Sequence, residues 1–310
     1  MSRTSRSLLL LAAAAIGVAS PAAAHRQWLL PSATSLSGED PWVSFDAAVS
    51  NDLFYVDHFP MQLGGIKVWQ PDGTPGEMQH GSTGRYRSVF DVQLTKPGTW
   101  KIGTEMSGLQ GSFKVDGQER RVGGRPGPGG PGGAGRPEGP GGPQHDRQGA
   151  PGGRGGANGG APRPPAVSAS DIPANATDVK LTQTLSRNFV FVTRGEPTAT
   201  VFQPTNKGLE MVPVTHPDEL VAGEAASFRF LVDGKPAPGL KVAVVPGGKR
   251  YRDAEDGMEL TTGSDGVLKV TFPTAGMYWL NAGFTDNKPT EARATDRRMS
   301  YTSTFEVMTP

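Results

Sequence analysis

Apolar and polar residues alternate at period two along most of the chain, the pattern of half-buried strands. Trp42-Val43-Ser44-Phe45-Asp46 and Ile66-Lys67-Val68-Trp69 are two such runs, and Pro71-Asp72-Gly73 follows as a turn. Tyr86 to Leu94 alternates again, Lys96-Pro97-Gly98 turns the chain, and Thr99 to Ile102 and Phe113 to Val115 complete a first set. A second set begins at Leu181 to Val192. It continues through Ala225 to Val232, Leu240 to Val245, Val267 to Phe272, Met277 to Leu280 and Met299 to Val307. Turn signals such as Asp233-Gly234-Lys235-Pro236, Ser264-Asp265-Gly266 and Ala275-Gly276 punctuate these runs. No stretch sustains a 3.6-residue period, so the pattern predicts an all-β protein of two sandwich modules, immunoglobulin-like or prealbumin-like.

Composition changes this picture at one place. The chain has 43 Gly and 28 Pro, and 18 and 10 of these fall between Gly123 and Pro165. That stretch has almost no apolar side chain larger than Ala, which predicts a disordered insert, and it lacks a collagen period. The expected division is therefore a leader over 1–24, a first module over 25–122, the insert over 123–165 and a second module over 166–310. Arg3 and Arg6 before the apolar run Leu8 to Val18, then Ala22-Ala23-Ala24, predict a secretory signal peptide cleaved after Ala24 and a periplasmic protein. The apolar run is too short for a bilayer span, so the processed chain is expected not to cross a membrane. Outside leader and insert the chain carries 24 basic and 28 acidic residues, which argues against nucleic-acid binding.

The chain has no Cys, which excludes disulfide scaffolds, cysteine-ligated zinc and thiol catalysis. A metal here must be held by nitrogen and oxygen. Cleavage after Ala24 would make His25 the first residue, whose α-amine and imidazole chelate nickel, cobalt or copper together. A further imidazole would come from His58, His80 or His216, because His145 lies in the insert. Asp57 and Glu105 are candidate oxygen ligands. The alternative for His25 is a solvent-exposed residue beside a cleavage site, and for His216, between Thr215 and Pro217, a turn or strand end. Four tryptophans, at 42, 69, 100 and 279, sit in alternating runs and are expected to fill cores rather than stack on sugars. No G-x-S-x-G, H-E-x-x-H or P-loop is present, and no enzymatic activity is expected.

Two resemblances sharpen these expectations. The D-G-K-P-x-P-G-x-x-V, S-D-G and A-G-x-Y-x-L elements of the second half resemble prealbumin-like or carboxypeptidase-regulatory-like modules. His25-Arg26-Gln27-Trp28-Leu29-Leu30-Pro31 after the A-x-A site resembles the start of a periplasmic family of unknown function associated with nickel and cobalt uptake. That family includes the NikK-type soluble partners of energy-coupling-factor transporters. Asp57-His58-Phe59-Pro60, Leu209 to Pro217 and Ser300 to Val307 resemble its later landmarks in order and spacing. The resemblance implies an N-terminal-His metal site with His58 as leading partner, a nickel or cobalt ion, and delivery to a membrane transporter component. The insert departs from the family pattern. Two other functions fit parts of the chain: a copper oxygenase with an N-terminal histidine brace, and a metal-free adhesion or spacer module.

Overall fold

The computed structural model describes residues 25–123 and 166–310; the expected leader and nearly all of the insert, His145 included, lie outside them. The first segment forms β1 (Arg26–Pro31), β2 (Ser35–Leu36), β3 (Trp42–Ser50), β4 (Phe59–Pro60), β5 (Lys67–Trp69), β6 (Gln79–Thr83), β7 (Ser88–Gln93), β8 (Gly98–Val115) and β9 (Gln118–Val122). The second forms β10 (Thr177–Arg194), β11 (Leu209–Pro213), β12 (Ala225–Val232), β13 (Lys235–Pro236), β14 (Lys241–Pro246), β15 (Met258–Thr261), β16 (Val267–Thr271), β17 (Gly276–Asp286) and β18 (Asp296–Val307). Only short 3₁₀ turns interrupt them among the described residues. The chain is all-β, as its periodicity predicts.

The strands build three sheets. A central one runs β15-β14-β17-β18-β10-β8-β5, with β2 added to β10 and β9 to β8. An outer sheet β1-β3-β7-β6, extended by β4 on β3, covers one part of it, and a second outer sheet β11-β12-β13, with β16 on β12, covers another. The central sheet crosses the expected boundary between modules. Strands β8 and β10 pair antiparallel from Gly98↔Arg194 to Lys114↔Thr177, although the insert separates them in sequence. Glycine permits their close approach: a Cβ on Gly103 would lie 2.0 Å from the Asn188 carbonyl oxygen. On its other side β10 pairs parallel with β18. A parallel pair needs a long crossover, and here the crossover is the rest of the second half.

Strand β10 serves both cores. Val190 and Val192 are fully buried against Leu29, Phe45, Phe90, Trp100 and Ile102 of the first half. Their neighbours Phe189 and Phe191 point the opposite way, into the core that Phe228, Phe230, Leu280 and Tyr301 fill. Four consecutive apolar residues are what a strand buried on both faces requires. A third cluster closes the joint from outside: Trp28 and Leu53 of the first half meet Val245 and Trp279 of the second. Each indole is satisfied there, Trp28 Nε1 donating to Ser50 Oγ at 2.7 Å and Trp279 Nε1 to the Gln27 carbonyl at 3.1 Å.

The tryptophans divide accordingly. Trp28, Trp100 and Trp279 are buried, and Trp69 is half-buried beside Phe189. Trp42 is a correction: it points outward from β3, and its ring lies 5.4 Å from that of His80.

Truncating Phe191 to Ala removes a buried ring and is expected to cost about 3–5 kcal/mol. Because β10 belongs to both cores, hydrogen–deuterium exchange should show protection falling in β3 and β7 together with β12 and β16. Loss confined to β12 and β16 would mean that the halves open independently.

Candidate metal site

Strand β3 sets the position of the first two candidate histidines. Its C-terminal end is flanked by β1, where Arg26 pairs with Ser50, and by β4, where Phe59 pairs with Val49. His25 and His58 are the residues immediately before these pairs, so they stand on either side of the same strand end. Their rings meet face to face, with centroids 3.7 Å apart and planes 13° apart. Phe59 packs beside both, at 4.5 Å from His58 and 6.1 Å from His25. His25 is exposed and His58 half-buried. Among the described residues neither imidazole has a hydrogen-bond partner, which leaves their ring nitrogens available.

The second half holds both residues in place. Arg26 forms a bidentate pair with Glu255 and lies over the Trp279 ring at 5.4 Å. The Arg26 guanidinium beside Glu255 holds that carboxyl below its ordinary range. The loop leading to His58 is braced by Asp57, whose two oxygens accept from the backbone and side-chain nitrogens of Asn51 at 3.0 and 3.2 Å. Phe54, at a positive φ of 59°, wedges the same loop against Trp28 and Gly247. A Cβ on Gly247 would sit 2.5 Å from the Phe54 ring, so that glycine makes room for the wedge.

The other candidates are engaged elsewhere. His80 Nδ1 donates to Asp91 Oδ2 at 2.9 Å on an exposed edge. Hydrogen bonds from Ser44 and His80 hold the Asp91 carboxyl below its usual range. His216 has both nitrogens committed: Nδ1 accepts from the Asp218 backbone N–H at 3.1 Å, so Nε2 carries the proton and donates to Thr99 Oγ1 at 3.0 Å. Burial lowers the His216 pKa and keeps the ring neutral. Asp57 is occupied by Asn51, and Glu105 faces Arg187. No group of three or more His, Asp or Glu side chains placed to hold a metal occurs among the described residues.

The His25–His58 pair therefore supplies two imidazoles and needs a third donor from outside the side chains. Were the chain to begin at His25, its α-amine would be that donor. Stacked rings send their in-plane lone pairs side by side rather than to one point, so chelation requires one ring to turn. His25, exposed and with no hydrogen-bond partner among the described residues, is the ring placed to do so. That rotation is what a nitrogen-only transition-metal site would require of the pair.

A family model described as "Domain of unknown function (DUF4198)" matches residues 22–286, and the chain belongs to that family. No curated protein matches it. Solved structures that match include the D0-D1 domain of intimin, at 8% identity and TM-score 0.18, covering 90% of this chain and 97% of that one. The D00-D0 domain of intimin matches at 8% identity and TM-score 0.18 over 91% and 100%. Escherichia coli alpha-2-macroglobulin activated by porcine elastase matches at 10% identity and TM-score 0.19, over 92% of this chain and 31% of that one. Scores this low carry no functional argument.

Asp218, beside His216, makes the stability of this part of the second half depend on pH. Burial pushes its carboxyl up to about 6, and its Oδ1 has no hydrogen-bond partner. A carboxyl raised in the folded state favours folding below its unfolded pKa of about 4 and opposes it as pH rises through 6. Replacing it in Asp218→Asn should stabilise the chain at pH 7.5 by roughly 1 kcal/mol, after screening of a half-exposed group, and by little at pH 4. Chemical denaturation at both values checks this; equal effects at the two would show that ionisation of Asp218 is immaterial.

Proposed function

We propose that this member of the DUF4198 family is an exported protein that binds a nickel or cobalt ion through His25 and His58 and passes it to a membrane uptake component. One observation carries the reading. His25 and His58, 33 positions apart in sequence, come into ring contact, and neither imidazole has a hydrogen-bond partner among the described residues. Elsewhere in the described chain histidines are used differently, His216 by the protein's own hydrogen bonds and His80 by Asp91. Export and cleavage after Ala24 complete the site, because only then does His25 contribute an amine beside its imidazole. The lack of Cys agrees with a nitrogen donor set. Delivery to a transporter rests on the resemblance of the His25–Pro31 and Asp57–Pro60 segments to the nickel- and cobalt-uptake family.

The bound ion would be held by groups that must first lose protons. Affinity is therefore expected to fall as pH drops below the ordinary imidazole value of about 6.5. Isothermal titration of nickel, cobalt and copper into the processed chain measures this directly. His58→Ala should weaken nickel binding at least about tenfold, near 1.4 kcal/mol, and one Gly added before His25 should do the same. His80→Ala should leave it unchanged. Undiminished affinity in His58→Ala or in the extended chain would remove the site.

A further inference from the structure

Two loops, one from each half, face each other across a cleft of about 130 Å³. Residues 52–55, between β3 and β4, form one wall, and residues 248–251, between β14 and β15, form the other. Both walls are fixed from behind. Leu53 is buried in the cluster that joins the halves, and the Phe54 and Trp28 ring centroids lie 5.6 Å apart. Opposite them, Gly248 takes a positive φ of 75° to start a 3₁₀ turn over Lys249–Tyr251. Arg252 clamps that turn, donating to the Gly247 carbonyl at 2.7 Å and to the Pro246 carbonyl at 3.3 Å. The walls are thus ordered before any ligand arrives, which favours binding. The cleft shares loop 51–58 with the histidine pair, but neither His25 nor His58 lines it.

The cations of the second wall are not used alike. Lys249 reaches across to Asp52 at 3.5 Å, and Arg252 pairs with Asp256 at 2.8 Å. Arg250, between them in sequence, has no ion pair or hydrogen bond to another described residue. Its guanidinium lies over the Tyr55 ring of the facing wall at 4.3 Å and over the Tyr251 ring at 5.5 Å. A guanidinium held over aromatic faces keeps its in-plane N–H donors for an acceptor. The two rings are themselves open to water, Tyr55 being 40% and Tyr251 82% exposed. A ligand that covers them removes apolar area from water, and one that also carries an anion gains a charge-assisted hydrogen-bonded pair.

We propose that this cleft binds a small aromatic monocarboxylate. The carboxylate accepts from the paired N–H groups of Arg250, and the ring lies among Phe54, Tyr55 and Tyr251. Volume limits the ligand to a single ring. An engineered protein cavity of about 150 Å³ admits benzene, so this cleft holds one ring with its carboxylate at the open rim and is too small for a nucleotide. Arg250 selects the acceptor, because its planar fork matches a carboxylate through two parallel bonds. Asp52 on the facing wall repels a second negative charge, so a monoanion is favoured over a dicarboxylate.

Protein-observed NMR of the full chain, without added metal, tests this with benzoate, benzamide and acetate as probes. Benzoate should give saturable shifts at Leu53, Tyr55 and Tyr251. Benzamide keeps the ring without the charge and acetate the charge without the ring, and each should bind at least about tenfold more weakly. Arg250→Gln and Tyr251→Ser should each weaken benzoate at least about threefold. Both side chains are exposed, so neither substitution threatens the fold. The proposal is overturned by the lack of any saturable shift in the cleft, by benzamide or acetate binding as tightly as benzoate, or by Arg250→Gln binding benzoate like the parent.

Discussion

Strand β10 is where the two halves of this protein become one. Four successive side chains send alternate residues into opposite cores, Val190 and Val192 one way and Phe189 and Phe191 the other. A strand buried on both faces cannot be removed from one core without opening the second. Its backbone is bound on both sides as well, antiparallel to β8 and parallel to β18. The Gly/Pro-rich segment falls in sequence between β9 and β10, and β8 and β10 on its two sides pair in the central sheet.

This joint also positions the histidine pair. With the halves fixed by β10, β1 lies against β10 and β18, and the Trp28–Trp279 cluster and the Arg26–Glu255 pair hold it to the second half. Strand β1 begins directly after His25, and the braced loop from Asn51 to Asp57 leads into His58. The site thus belongs to residues of the first half that the second half holds in place. A residue just before an N-terminal strand would otherwise fray. Here the residue after it is fixed by an ion pair and a buried indole.

Much of the fold is legible in the sequence because period-two alternation reports one buried face. Trp42 to Asp46 and Val267 to Thr271 read as strands and are strands. The stretch Met106 to Gln110 within β8 hides its strand, since its side chains are largely exposed and pairing with β10, not burial, makes it extended. Phe189 to Val192 reads as a strand, but the lack of alternation that signals two buried faces is easily taken for an ordinary apolar run. Trp42 misleads for the converse reason: alternation identifies a strand without saying which parity faces in. Among the candidate ligands, the closeness of His25 and His58 follows from pairing on either side of β3, which no local pattern encodes. The commitment of His216 depends on Thr99, more than a hundred positions away. Arg297, buried between Asp233 and Asp286, and Lys101 over Trp69 are likewise set by partners distant in sequence.

The measurement that bears most directly on the account is NMR of the histidine rings as copper(II), a paramagnetic surrogate for nickel, is added to the processed chain. The expected result is early and selective broadening of the His25 and His58 imidazole signals, with those of His80 and His216 staying sharp at one equivalent. Broadening that begins at His80 or His216, or that reaches His25 without His58, would contradict a site built on the pairing of β1 and β4 around the end of β3.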